Sequence, residues 1–91
     1  MPYRLRISRE VRNAVDRLPG KVRQRIRRVI AELAYDPRPD TAKALEEDLS
    51  GYFRIRVGLY RVIYTIEEDQ VLVEVVRVAR RSPSTYEGLG E

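Results

Sequence analysis

The chain has ninety-one residues, with eighteen basic and fourteen acidic side chains and a net charge of +4; that length allows one domain with a thin core. It contains neither cysteine nor histidine, which excludes disulfides, thiolate metal centres and imidazole acid–base chemistry. No apolar run approaches the roughly 20 residues of a membrane helix, and Met1-Pro2-Tyr3-Arg4 does not open a signal peptide, so a reducing cytoplasm is the expected location. Sixteen of the basic residues are arginines, whose planar fork suits phosphate.

Tyr3-Arg4-Leu5-Arg6-Ile7 alternates apolar and polar, the signature of a short first strand. Ser8 is placed to cap a helix, and Glu10 suits the positive end of its dipole. Val11, Ala14, Val15 and Leu18 recur at helical spacing, giving a helix of about eleven residues that stops at Pro19-Gly20. A second helix is expected from Lys21 to Tyr35 on the stripe Val22, Ile26, Val29, Ile30 and Leu33. The short joint folds the two into an antiparallel hairpin. Its outer surface carries Arg9, Arg12, Arg17, Arg23, Arg27 and Arg28, with Arg25 at the flank and only Asp16 and Glu32 interspersed. Arg23, Arg27 and Arg28 are therefore candidate contacts to nucleic-acid phosphates. Asp36-Pro37-Arg38-Pro39-Asp40 breaks the helix, and residues 41–48 are expected to hold one helical turn with Glu46-Glu47-Asp48 exposed.

After Leu49-Ser50-Gly51, the runs Tyr52–Val57 and Tyr60–Tyr64 alternate on either side of Gly58-Leu59. Gly followed by any residue fits a two-residue type II′ turn, because Gly takes positive φ cheaply. That turn pairs Val57 with Tyr60, Arg56 with Arg61, Ile55 with Val62, Arg54 with Ile63 and Phe53 with Tyr64. One face is then apolar core; the other gathers Arg54, Arg56 and Arg61, although like charges opposite each other destabilise a sheet. Keeping such a cluster points to an anion that it holds. The strand from Tyr60 runs to Glu67, Glu68-Asp69 turns it, and a last strand spans Val71 to Arg80. Val71, Val73 and Val75 have one inward parity while Val76 and Val78 have the other, so a β-bulge is expected near Val75-Val76. The bulge brings Arg77 onto the arginine face, with Arg81 just beyond. The fold expected over residues 1–91 is a single α+β domain of order β-α-α-β-β-β. Its helical hairpin packs on one face of a small, mostly antiparallel four-stranded sheet, and the other face is open.

Five converging arginines suit phosphate and the charge that builds on it during transfer, but arginine is a poor general base. No carboxylates cluster on that face at metal-ligand spacing, which argues against two-metal hydrolysis, and glycine-rich phosphate loops are absent. The remaining titratable group nearby is Tyr86. A phenol among guanidiniums is suited to take a proton from a ribose 2′-hydroxyl, or to stack on a base.

The run Leu49-Ser50-Gly51-Tyr52-Phe53-Arg54-Ile55-Arg56-Val57-Gly58-Leu59-Tyr60-Arg61-Val62-Ile63-Tyr64, followed by Val76-Arg77-Val78-Ala79-Arg80-Arg81 and Tyr86, resembles the RelE/ParE superfamily of toxins. The resemblance implies the toxin of a type II toxin–antitoxin system. RelE-type members are metal-independent, ribosome-dependent endoribonucleases that cleave mRNA by 2′-hydroxyl attack and need no cofactor. It implies catalytic roles for Arg54, Arg56, Arg61, Arg81 and Tyr86, and nucleic-acid contacts from Arg77 and Arg80. Arg54 and Arg56 stand where RelE-type enzymes often have lysines, which implies that base chemistry falls to Tyr86 or weakens. The implied partners are a cognate antitoxin, in a hetero-oligomer, and the ribosome with its mRNA; no membrane is implied. Two alternatives remain at this point: a ParE-like inhibitor of DNA gyrase, and a catalytically weak member that binds only its antitoxin.

Overall fold

Ser8 begins the first helix as its residue type suggests: its hydroxyl accepts from the Val11 amide at 3.1 Å and its backbone is extended, which satisfies one of the orphan donors of a helix start. In the computed structural model, which describes residues 2–89, β1 (Arg4–Ile7) leads into α1 (Arg9–Asp16) and α2 (Gly20–Glu32). β2 (Ala42–Ala44), a 3-10 turn at Glu47–Leu49, β3 (Tyr52–Val57), β4 (Tyr60–Glu67) and β5 (Leu72–Arg80) follow. Both helices end short of the apolar periodicity, α1 before Leu18 and α2 before Tyr35, the chain leaving the last turns through Leu18 N–H to Val15 and Tyr35 N–H to Glu32.

The sheet has five strands in the order β1-β5-β4-β3-β2, all antiparallel except the β1–β5 pair. The expected four-strand sheet thus lacks one edge. Residues 42–44 form β2 on β3 where the composition suggests a helical turn, because Ala42, Lys43 and Ala44 complete the otherwise unpaired ladder of β3. Pairing with a neighbour overrides the helix preference of Ala, Lys and Leu here.

Both helices lie over one face. Val11 and Val15 of α1, with Ile26 and Ile30 of α2, meet Ile55, Val57, Val62, Tyr64, Val73, Val75 and Val78 in one buried cluster. Ile26, Val62, Tyr64, Val73 and Val75 are wholly buried, each such apolar side chain contributing about 1.5–3 kcal/mol. Tyr64 keeps its polar end satisfied by donating to the Pro37 carbonyl at 2.7 Å and stacks on Phe53 with ring centres 5.5 Å apart. It thereby pins the 36–40 loop to the sheet. Among the described residues no helix is long and apolar enough to cross a membrane.

Candidate active site

The hairpin between β3 and β4 has the anticipated register: Val57 pairs with Tyr60, Arg56 with Arg61, Ile55 with Val62, Arg54 with Ile63 and Phe53 with Tyr64. Gly58 sits at φ +58° while Leu59 does not have positive φ, the pattern of a type II′ turn. Cross-strand partners point to the same side of a sheet, so Arg54, Arg56 and Arg61 share the face away from the helices. β5 adds to it through a bulge. Val75 pairs with Tyr64 and Arg77 with Ile63, so Val76 is the extra residue and the parity switches there. Arg77 then falls on the arginine face, and the small side chain of Ala79 lies beside Arg61.

Electrostatics tie the group together. The Arg56 guanidinium is held below its ordinary value, first by the charge of Arg54, then by desolvation and by Arg61 and Arg81, with Tyr86 acting the other way. Arg54, Arg61, Arg81 and Tyr86 therefore all act on Arg56. Among the described residues no carboxylate forms an ion pair with Arg54, Arg56, Arg61 or Arg81.

The arginine face is less open than its sequence suggests. The chain after β5 folds back over it in successive turns, with Thr85 N–H bonding to Ser82, Glu87 N–H to Ser84 and Leu89 N–H to Tyr86. Thr85 is 2% exposed, and Ile63 beneath is wholly buried. Through this tail Tyr86 reaches Arg61: Nη1 of Arg61 donates to Tyr86 Oη at 2.7 Å, and the guanidinium carbon lies 5.5 Å from the ring centre. Nε of Arg61 is buried with no hydrogen-bond partner among the described residues.

The other expected contacts scatter. Arg80 pairs with Tyr60 and so emerges on the helix side, away from the cluster. Arg23 and Arg27 are spent on the helical hairpin itself: Arg23 Nη1 donates to the Asp16 and Leu18 carbonyls, and Arg27 bonds Asp16 at 2.6 Å. Arg77 is bound to the tail, its Nη1 donating to the Thr85 and Glu87 carbonyls. Arg28 lines a groove with Arg25 and Arg56 between α2 and β3. One residue not singled out by the sequence joins the face: Lys43 lies opposite Arg54 across β2–β3. Its only signal would have been the pairing of β2, which no local pattern reveals.

This five-strand sheet, with its arginine hairpin and returning tail, has known relatives. The family model for the ParE toxin of type II toxin–antitoxin systems matches residues 4–84. The chain belongs to this toxin family. Toxin RelE of Mycobacterium tuberculosis is 34% identical to the toxin over 84 residues, covering 91% of this chain and 86% of that protein. The toxin in the RelBE2 toxin–antitoxin complex of Mycobacterium tuberculosis superposes with a TM-score of 0.77 at 28% identity, over 89% of this chain and 100% of that one. The archaeal RelE–RelB complex of Pyrococcus horikoshii OT3 gives a TM-score of 0.79 at 28% identity, covering 91% of this chain and 99% of its counterpart.

Proposed function

We propose that this toxin is a ribosome-dependent endoribonuclease that cleaves mRNA without a metal ion, with Arg54, Arg56, Arg61, Arg81 and Tyr86 as its site. The observation that carries this reading is the Arg61–Tyr86 pair set among guanidiniums that no carboxylate neutralises among the described residues. Arg61 donates to Tyr86 Oη and so fixes the phenol oxygen among the guanidiniums. Acting as general base, that oxygen takes the proton of a ribose 2′-hydroxyl and passes its own proton to solvent. The 2′-oxygen attacks phosphorus, the bond to the 5′-oxygen breaks, and that oxygen leaves with a proton from water. The products are a 2′,3′-cyclic phosphate and a 5′-hydroxyl. Arg54, Arg56, Arg61 and Arg81 offset the charge that builds on the phosphoryl oxygens, where fixed cations act most strongly. Arg28, with Arg25 beside it, extends this footprint from the basic helix surface, since both share a groove with Arg56.

An antitoxin is the expected partner. The relatives RelBE2 and archaeal RelE–RelB were each solved with one, and an acidic segment would complement the arginine face.

A second reading, inhibition of DNA gyrase, is favoured by one observation: the matching model is that of the ParE toxin and its match ends at residue 84, before Tyr86. Transcript mapping on translating ribosomes, run beside a gyrase supercoiling assay with the same purified toxin, separates the two. Cleavage that Tyr86→Phe abolishes, with supercoiling untouched, is the expected result. Supercoiling blocked equally by wild type and Tyr86→Phe, with intact transcripts, would replace the ribonuclease by the gyrase inhibitor.

A further inference from the structure

Arg77 looks from the sequence like one more phosphate contact, and the structure gives it different work. Both hydrogens of its Nη1 are directed at main-chain oxygens, those of Thr85 and Glu87. These are the residues on either side of Tyr86. One guanidinium nitrogen thus brackets the peptide units that carry the phenol. Two further contacts set the tail on the same side. Thr85 Oγ1 donates to the Arg80 carbonyl and accepts from the Ser82 amide at 2.9 Å, with Thr85 almost wholly buried. Gly88, at φ +83°, passes so near that a Cβ there would lie 3.8 Å from Arg77 Nη2.

We infer that Arg77 is a positioning residue: it clasps the tail so that the Tyr86 hydroxyl stays on Arg61, and it does not itself contact the RNA. The need for such a clasp is physical. With the tail in place, Arg61 Nε is buried without a partner among the described residues, an uncompensated desolvation that weighs against the closed arrangement. The charge-assisted bonds from Arg77 to two carbonyls oppose it, being among the stronger hydrogen bonds available to a main-chain oxygen. The bulge at Val76 makes this arrangement possible, since without the extra residue Arg77 would face the helices. Thr85 fixes where the tail leaves β5; Arg77 fixes where Tyr86 lies within it.

The catalytic half of the inference rests on the ribonuclease reading, so the test has one arm that depends on it and one that does not. The independent arm is amide hydrogen exchange over residues 82–88 in the purified toxin. Arg77→Ala should speed exchange there and leave β4 and β5 protected, while Arg77→Lys should restore part of the protection. Unchanged exchange in Arg77→Ala overturns the clasp whatever the toxin's target. The dependent arm is single-turnover cleavage of mRNA in programmed ribosomes. Arg77→Ala should lower the maximal rate about tenfold to a hundredfold, the scale of a slightly misplaced catalytic group, with half-saturation unchanged. The double variant Arg77→Ala/Tyr86→Phe should be no slower than Tyr86→Phe alone, because both changes act through one hydroxyl. Weaker half-saturation with an undiminished maximal rate would instead make Arg77 an RNA contact and overturn the assignment. Full cleavage by Tyr86→Phe would sink the ribonuclease role of the phenol, and the exchange arm would still decide the clasp.

Discussion

The two ends of β4 treat the same kind of side chain in opposite ways. At the Gly58 end, Arg54, Arg61 and Arg81 all act on the charge of Arg56, and no carboxylate pairs with any of the four among the described residues. At the Glu68 end, Arg38 bonds Glu68 at 2.7 Å, Tyr3 donates to the same carboxylate at 2.7 Å, and Arg38 also lies 5.6 Å over the Phe53 ring. The turns differ as well. Gly58 takes positive φ where Gly does so cheaply, whereas Val71, a β-branched residue, is held at φ +50°, a conformation that costs such residues energy. One end has an easy turn and repelling charges; the other has a strained turn and satisfied charges. The unpaired end fits the anion site proposed above, and the paired end supplies anchoring for the loop and sheet beneath it.

The largest effect expected from disturbing this contrast is on chemistry. On the proposed ribonuclease reading, Arg61→Ala should slow mRNA cleavage in programmed ribosomes by about a hundredfold or more, the loss of one preorganised charge donor, with far-UV circular dichroism unchanged. A wild-type rate in that variant would remove Arg61 from the site.

Next comes Tyr64→Phe, which strips the donor from the part-buried bond to Pro37. Urea unfolding should show a loss of about 1–3 kcal/mol, with cleavage per folded molecule unaltered. Burial also pushes the Tyr64 phenol up to about 12 from an ordinary 10.0. The neutral phenol makes the bond, so its contribution is complete below the ordinary value. As pH rises from about 10 to about 12 the unfolded chain ionises first and stability falls. Tyr64→Phe should flatten that interval of the stability profile; two superimposable profiles would mean that another group governs it.

A smaller, opposite pair of effects belongs to the turns. Val71→Asn should raise stability by about 1 kcal/mol by relieving left-handed strain at a residue already 42% exposed. Gly58→Ala should lower it by a similar amount, although a Cβ there has room, its nearest neighbour being Arg25 Nη1 at 3.8 Å. Thermal melts that move both variants in the same direction would contradict the contrast between the two turns.

Least is expected of Glu68→Gln. Tyr3 first, and then Arg38, hold the Glu68 carboxyl below its usual range. Its contribution is therefore present above the ordinary carboxylate value and fades as pH falls through the lowered one. The substitution should cause a slight drop in melting temperature at neutral pH that disappears in high salt, as exposed pairs behave. A drop that persists at high salt would show the cluster to be more than a screened surface pair.

The parts of this molecule written in short-range pattern were legible from residue order. Alternation about Gly58-Leu59 identified the five hairpin pairs nearest the turn, leaving only Tyr52 with Thr65 unnamed, and the parity conflict among Val73, Val75, Val76 and Val78 located the bulge that delivers Arg77 to the outer face. Helical spacing named Val11, Val15, Ile26 and Ile30 as core. The apolar spacing overruns both helix ends, by two residues at Leu18 and one at Leu33, because these leucines continue it after α1 and α2 stop. Ala42-Lys43-Ala44 is strand within a stretch expected to hold one helical turn, because only its pairing with β3, farther along the chain, makes it one.

Charge could be counted in the sequence but not assigned. Arg23, Arg27 and Arg38 are identical in type to Arg54, Arg56 and Arg61, yet the first three are held by Asp16, Leu18 and Glu68 and the others are left to face one another. Local periodicity alone determined which residues share a strand face, because side-chain direction follows from backbone geometry within a few residues. The tertiary structure alone decided which arginines are neutralised, that Lys43 joins the face, and that the tail returns over it with Tyr86 against Arg61. Those outcomes depend on groups far apart in the chain, whose meeting is settled by the packing of the whole domain.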